Sequence, residues 1–308
     1  MLSTPVTPLK ILITGATGFL AKNVIVLLNK DSLPYVVYNL GRTPSADPSV
    51  INIPCTDIES FDFSSVVQEF DYIIHTLALS NEAYCKDFSY ANAVNVEFTK
   101  QLLAFASTQK NLKKFIHISS IIIYSNTNPT PVPETAPLYL HYSNYAFTKG
   151  IAEHYATHYL EKYNLPVLIF RLSNIYGPYQ TFENSPFLVP SKIMQAINEK
   201  KIEVFSLVPK RDWIYSEDAA SLIVTSLESP HTGIYNLGSG IGSSVEDIVS
   251  VIATELSVPY TTLDKPTTGP LDFYCDMSKT KNDFSWEATH TLEEGLKKTI
   301  VYIQENKK

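Results

Sequence analysis

The chain has 308 residues, 44% hydrophobic and 18% charged. That profile belongs to an ordinary globular protein, built as two lobes or as one large domain with a smaller companion, and excludes a disordered or coiled-coil chain. Lys and Arg number 24 against 31 Asp and Glu, and the net charge of -7 argues against bulk attraction to nucleic acid or an anionic membrane, so an anionic ligand must be held by a few placed groups. Cys55, Cys85 and Cys275 stand far apart, without metal-ligand spacing, so neither a disulfide framework nor a metal site is expected. The first ten residues lack the pattern of a signal peptide, and no apolar run approaches a membrane span. The expectation is a reduced, soluble, cytoplasmic protein.

In chain order, a short apolar run over Leu9–Thr14 meets Gly15-Ala16-Thr17-Gly18 and then a helical pattern through Lys30: strand, glycine turn, helix. Further strands are predicted at Tyr35–Leu40, Val50–Ile53, Asp71–Thr76, Lys114–Ser119 and Val167–Leu172, with helices at Ser64–Phe70, Ala91–Gln109 and Tyr142–Tyr163. Continuous apolar strands alternating with amphipathic helices imply an α/β fold, a doubly wound parallel sheet covered on both faces. After Asn174 the rhythm loosens into proline-marked loops, with helices near Ser191–Lys200, Glu217–Leu227, Ser243–Leu256 and Leu292–Gln304 and strands near Ile202–Phe205 and Ile234–Leu237. The expected division is a dinucleotide-binding domain over 1–173, to which 212–238 returns, and a smaller substrate-binding lobe over 174–308. The ligand cleft is expected at the carboxyl ends of the strands, between the lobes.

Gly15-x-x-Gly18-x-x-Ala21 falls where a phosphate-binding turn is needed. Gly15 can take unusual backbone angles, Gly18 lets the backbone approach a pyrophosphate, and Ala21 allows close helix packing. Glycines in such a turn also serve plain turn geometry. At the end of the second strand, Val36-Val37-Tyr38-Asn39-Leu40-Gly41-Arg42 offers no acid to a ribose 2'-hydroxyl, whereas Arg42 suits a 2'-phosphate; it reads equally as a solvated loop residue. Of the 19 tyrosines only Tyr145 has a lysine four residues on. Residues i and i+4 share a helix face, so Lys149 is expected to pull the Tyr145 phenol from about 10 toward neutrality. Ser120, about 25 residues earlier at a strand end, can share the moving proton.

Over nearly its whole length the chain resembles the extended short-chain dehydrogenase/reductases, within them the nucleotide-sugar epimerase/dehydratase group. The resemblance rests on Thr14-Gly15-Ala16-Thr17-Gly18-Phe19-Leu20, Asp57-Ile58, Asp71-Tyr72-Ile73-Ile74-His75, Asn95-Val96 and Ser119-Ser120-x-x-x-Tyr124. It continues through Tyr145-x-x-x-Lys149-x-x-x-Glu153, Arg171-x-x-Asn174-x-Tyr176-Gly177-Pro178, Arg211-Asp212-Trp213-Ile214-Tyr215, Glu217-Asp218-Ala219 and Tyr235-Asn236-Leu237-Gly238-Ser239-Gly240.

The resemblance implies Tyr145 as acid/base, Lys149 as the residue that binds the nicotinamide ribose and tunes Tyr145, and Ser120 as the hydroxyl that orients substrate. Gly15, Thr17, Gly18, Phe19, Leu20, Asp57, Ile58 and Leu77 would line an NAD(P) site, with Arg42 leaning the choice toward NADP(H). Asn174 and Arg211 would hold a substrate diphosphate. Arg211 reads otherwise as a salt-bridge partner of Asp212 or Asp218, and Asn174 as a loop-capping amide. Tyr176 and Trp213 read as packing, and His75 as a core histidine. Four departures matter, one being Ala21 in place of the third glycine of the turn. Family dehydratases carry an Asp-Glu pair just after the strand-end hydroxyl, and here Ile121-Ile122 stand there, which disfavours dehydration. Leu77 replaces a smaller residue, and near Thr267-Thr268-Gly269-Pro270 a second arginine is missing, with Lys265 as a substitute. The expected activity is hydride transfer at C4 of a nucleoside-diphosphate sugar, as an epimerase or a ketoreductase. A homodimer through helices near 91–109 and 142–163 is also implied. The rival is a silent NAD(P)-binding sensor or structural protein of the same fold.

Overall fold

The computed structural model describes residues 8–30, 35–263, 265 and 269–307. Its elements begin with β1 (Leu9–Thr14), α1 (Phe19–Leu28), β2 (Tyr35–Leu40), β3 (Val50–Ile53) and β4 (Tyr72–His75). Then come α2 (Phe88–Asn92), a π-helical turn over Ala93–Glu97, α3 (Phe98–Ala106), β5 (Lys114–Ser120), α4 (Asn144–Tyr163) and β6 (Val167–Leu172). The remainder comprises β7 (Asn174–Tyr176), α5 (Leu188–Glu199), β8 (Ile202–Val204), β9 (Lys210–Tyr215), α6 (Ser216–Ser226), β10 (Gly233–Leu237), β11 (Gly242–Ser244), α7 (Val245–Leu256), β12 (Tyr260–Thr262), β13 (Asp272–Phe273), α8 (Ser278–Phe284) and α9 (Leu292–Asn306).

Seven strands form a parallel sheet in the order β10-β6-β5-β4-β1-β2-β3. Every residue of β4 and β5 is buried, as central strands covered on both faces must be, and this explains their unbroken apolar runs. The order reverses between β1 and β4, so their carboxyl ends flank the crevice where open sheets of this kind take ligands. Behind them Leu12, Ile73, Phe98, Leu102, Phe115, Val167 and Ile169 pack into one core.

Contacts divide the chain into two compact units, neither of them a single stretch. One holds 1–123, 140–171 and 223–235; the other holds 124–139, 172–222 and 236–308. The expected cut at 173 thus falls close to the 171/172 boundary, while 124–139 joins the second unit and the returning stretch is 223–235, not 212–238. The second unit has its own core of Val189, Ile193, Ile202, Ile248, Ile252, Leu296 and Ile300, and a small sheet in which β9 pairs with β7, β11 and β13.

Two local expectations fail. Ser64–Phe70 is not a helix: Asp62 caps a single 3-10 turn at Phe63–Ser65, and the chain then runs irregularly, with Val67 in solvent. Ala91–Gln109 is helical but interrupted by the π turn, which contains Asn95.

Candidate active site

The turn after β1 is shaped for an anion. Gly15 has φ +73°, and a Cβ there would lie 3.2 Å from both Cα and Cβ of Leu77, so conformation and space both require glycine. Its amide donates to the Leu40 carbonyl at 2.8 Å, locking the turn against β2. The helix that follows has Gly18 as its N-cap, no side chain capping it and no acid in its first turn. The first-turn amides of Phe19, Leu20 and Ala21 therefore have neither an intrahelical acceptor nor a competing carboxylate, which fits a pyrophosphate. Leu20 itself is a core residue, so only its backbone serves the turn, and Thr17 is half-buried beside it.

At the far side of this turn, Asn39, the penultimate residue of β2, is held by three hydrogen bonds. It accepts from the Ala16 amide at 3.0 Å and donates to Asn52 at 2.9 Å and the Thr43 carbonyl at 3.2 Å. Arg42 is exposed and donates to the Tyr90 hydroxyl at 2.6 Å, with its guanidinium 6.0 Å from that ring's centre. Asp57 is exposed and accepts from the Ser60 hydroxyl and the Glu59 amide, which hold its carboxyl below the usual range. Ile58 is buried in the core.

Ser120 hydrogen-bonds the Tyr145 phenol, and Lys149, one turn along α4, reaches the strand that ends in Ser120 at the Ile118 carbonyl. Ser143 caps α4 by accepting from the Ala146 amide at 3.0 Å, which starts the helix one residue before Tyr145. The inner face of α4 is built from Ala146, Lys149, Gly150, Ala152, Glu153 and Ala156, small or charged residues at helical spacing. Gly150 lets Leu140 pack close, since a Cβ there would lie 2.4 Å from the end of that side chain and displace it. Burial pushes the Tyr145 phenol up to about 12, opposed by a hydrogen bond from Ser120 and reinforced by Cys85. Burial also lowers Lys149 to about 8, opposed by Glu153 and Cys85.

The expected lowering of the Tyr145 phenol toward neutrality is thus corrected. Lys149 Nζ donates to the Ile118 carbonyl at 2.5 Å, and its charge does not offset the burial of the phenol. Beneath Lys149 a second buried set forms. The Glu153 carboxylate takes Arg171 Nη2 at 2.6 Å and Nε at 3.1 Å, and accepts from the Ser119 hydroxyl at 2.6 Å.

His75 is a core histidine, as expected. It lies between the Thr14 and Thr99 hydroxyls, each at 2.7 Å, and burial drives it down to about 3. In the second unit, Asn174 and Arg211 sit on the paired strands β7 and β9, with Asn174 opposite Trp213. Asn174 Nδ2 donates to the Asp212 carbonyl at 2.9 Å. Arg211 is half-buried and donates to the Lys210 carbonyl at 2.8 Å, with Asp272 as the carboxylate that acts on it. The alternative partners are committed elsewhere. Asp212 faces Ser239, Gly240 and Cys275, and Asp218 holds His290 and Thr289. Tyr176 and Trp213 pack against the second core. Thr267 and Thr268 lie outside the described residues.

A model of the NAD dependent epimerase/dehydratase family matches residues 11–238. The chain belongs to that family. Among curated proteins it is similar to the dTDP-D-glucose 4,6-dehydratase of Mus musculus, 28% identical over 96% of this chain and 89% of that one. Among solved structures it is similar to a UDP-glucuronic acid 4-epimerase from Bacillus cereus in complex with UDP-glucuronic acid and NAD, with TM-score 0.84, 28% identity, and 96% and 99% of the two chains covered. The UDP-glucose 4-epimerase of Thermotoga maritima shares the fold, with TM-score 0.87 at 22% identity over 97% of this chain and 100% of that one.

Within this epimerase/dehydratase chain, several polar residues do work that spacing did not reveal. Asn95 accepts from the Leu79 amide at 2.7 Å and donates to the Thr148 hydroxyl at 3.0 Å, tying the loop after β4 to α4. Asp212 is fully buried, with a carboxylate that accepts from three backbone amides and two serine hydroxyls. Asn39, Asn95 and Asp212 all find partners far along the chain, and the signal available beforehand was only that each stands in an apolar run or a quoted motif.

Proposed function

We propose that this protein is an NAD(P)-dependent enzyme acting at C4 of a nucleoside-diphosphate sugar, as an epimerase or a 4-ketoreductase. The observation that carries the reading is the convergence of Ser120, Tyr145 and Lys149 on one unit with the phosphate-binding turn at Gly15–Gly18. The nicotinamide, when bound, supplies the hydride acceptor or donor. Tyr145 moves the proton at the C4 oxygen, and Ser120 shares a hydrogen bond with that oxygen and the phenol. Lys149, one helical turn from Tyr145, is the proposed source of positive charge for that proton transfer. With burial holding its phenol up, Tyr145 is protonated at neutral pH and can give a proton to a ketone oxygen, and the phenolate takes it back in the reverse direction. Arg42 supports NADP(H) as cofactor, although the Bacillus cereus relative binds NAD. Asn174 and Arg211 are the proposed grips on the substrate diphosphate.

Dehydration finds little support in the residues. The amide of Ile122 is turned to Ser120 Oγ at 3.3 Å and its carbonyl accepts from the Tyr142 hydroxyl, while Ile121 is buried. No carboxylate stands at either position to serve as the extra acid or base. The likeness to dehydratases supports the scaffold more than that chemistry. A homodimer paired through α3 and α4 and a cytoplasmic location complete the reading. Tyr159 and Tyr163 stack on α4 at 4.9 Å between ring centres, with Tyr163 largely exposed.

The test is incubation of purified protein with NADPH and a panel of 4-keto-6-deoxy nucleotide sugars, and with NAD and their 4-hydroxy counterparts. Stoichiometric NADPH loss supports the ketoreductase, and isomer formation without net consumption supports the epimerase. Tyr145→Phe should lower turnover by about 10²- to 10⁴-fold. A Tyr145→Phe enzyme as active as the parent overturns the assignment. Cofactor binding with no turnover of any substrate supports the silent binding protein instead.

A further inference from the structure

We propose that Tyr90 is the residue that positions Arg42 to select a 2'-phosphorylated cofactor; the inference rests on the NADP(H) reading above. Arg42 begins at the edge of the phosphate turn. A Cβ on the preceding Gly41 would lie 3.5 Å from Cα and N of Gly15. From there its side chain reaches the first turn of α2, where Nη1 donates to the Tyr90 hydroxyl at 2.6 Å. Tyr90 is fixed in turn, because its amide donates to the N-cap carboxylate of Asp87 at 3.1 Å.

What matters is that the clamp is neutral. A guanidinium has five N–H donors, and one of Arg42's is taken by the phenol. Among the described residues no carboxylate lies within ion-pair distance of Arg42; Asp57 acts on it only through space, with its own oxygens bonded to Ser60 and Glu59. The phenol therefore fixes the direction of the side chain without cancelling its charge, leaving donors for a phosphate dianion. Asn39 adds an independent observation. It stands near the end of β2, where a chain that takes a bare ribose places a carboxylate, and its uncharged amide is held by Ala16, Thr43 and Asn52. This end of the site offers donors to a phosphate, and β2 ends in an amide and not in a carboxylate that would meet a bare ribose.

The experiment measures dissociation constants of NADPH and NADH for the full chain by nicotinamide fluorescence. The wild-type protein is expected to prefer NADPH at least tenfold. Tyr90→Phe keeps the ring and removes the hydroxyl. It should weaken NADPH by about three- to tenfold, the cost of immobilising one long side chain, and leave NADH unchanged. Arg42→Ala should bring the two cofactors to near parity. A Tyr90→Phe protein that keeps the wild-type NADPH:NADH ratio, or weakens both cofactors equally, overturns the positioning role. A wild-type protein without NADPH preference overturns the cofactor reading itself, and the two failures are told apart by which protein shows them.

Discussion

Replacing Glu153 by Gln tests the foundation of the site. The carboxylate is bound by Arg171 at 2.6 Å and 3.1 Å and by Ser119 at 2.6 Å, and the Arg171 and Glu153 side chains are 4% and 5% exposed. Gln conserves the volume, and its Oε1 can still face Arg171 while its NH₂ meets a Ser119 hydroxyl turned to accept. The geometry survives and the charge does not, so a buried guanidinium loses its counterion. Breaking such a pair costs about 3–5 kcal/mol, and a unit of this size loses about 2–4 °C of melting temperature per kcal/mol. Thermal unfolding followed by circular dichroism should therefore fall by about 6–20 °C. Glu153 also holds Lys149 up against burial, so the variant's Lys149 should titrate below the parent's value of about 8. The alkaline limb of its activity profile should move acidward. A melting temperature within 2 °C of the parent would refute the energetic argument, and an unmoved limb would refute the coupling to Lys149.

The parent's own pH profile follows from the same group. Lys149 is charged below about 8 and loses its charge as pH rises through that value, so turnover should fall about tenfold per pH unit above it; a limb near 10 contradicts the assignment. In the second unit, Asp212→Asn puts an amide NH₂ among the Ser239, Gly240 and Cys275 amides, so at least one N–H faces another. The expected loss is about 1–3 kcal/mol per unsatisfied group, with KM for the nucleotide sugar raised and cofactor affinity unchanged. Equal weakening of both ligands in titrations would sink that expectation.

The Gly15 turn, the parallel sheet and the Tyr145/Lys149 pair were legible because each is written in neighbouring residues: an apolar run ending in glycine, or two groups four apart on a helix. Less legible was anything whose partner lies across the fold. The β9 strand was missed because Lys210-Arg211-Asp212 looks solvated, yet Asp212 is fully buried by donors from residues about 27 to 63 positions away. Ser64–Phe70 reads as a helix from its apolar spacing. Phe63 instead packs on Phe98 and Phe105, with ring centres 5.7 and 5.2 Å away, and Phe70 reaches the same core from an irregular chain. The π turn was invisible because one helix pattern runs through it, and Asn95 earns its position only through Leu79 and Thr148.

A protein of charge -7 keeps an excess of positive charge under its candidate site, with Lys149 and Arg171 against the carboxylate of Glu153. Burial outweighs that excess and holds the Tyr145 phenol above its ordinary value, so the phenol carries its proton at neutral pH. One further unit positive charge about 5 Å away is worth about 3 kcal/mol at an effective dielectric of about 20, roughly a hundredfold in the ionisation of the phenol. A cationic ligand at that distance would therefore make Tyr145 a better base, and the same phenol, still protonated, can give its proton to a ketone oxygen.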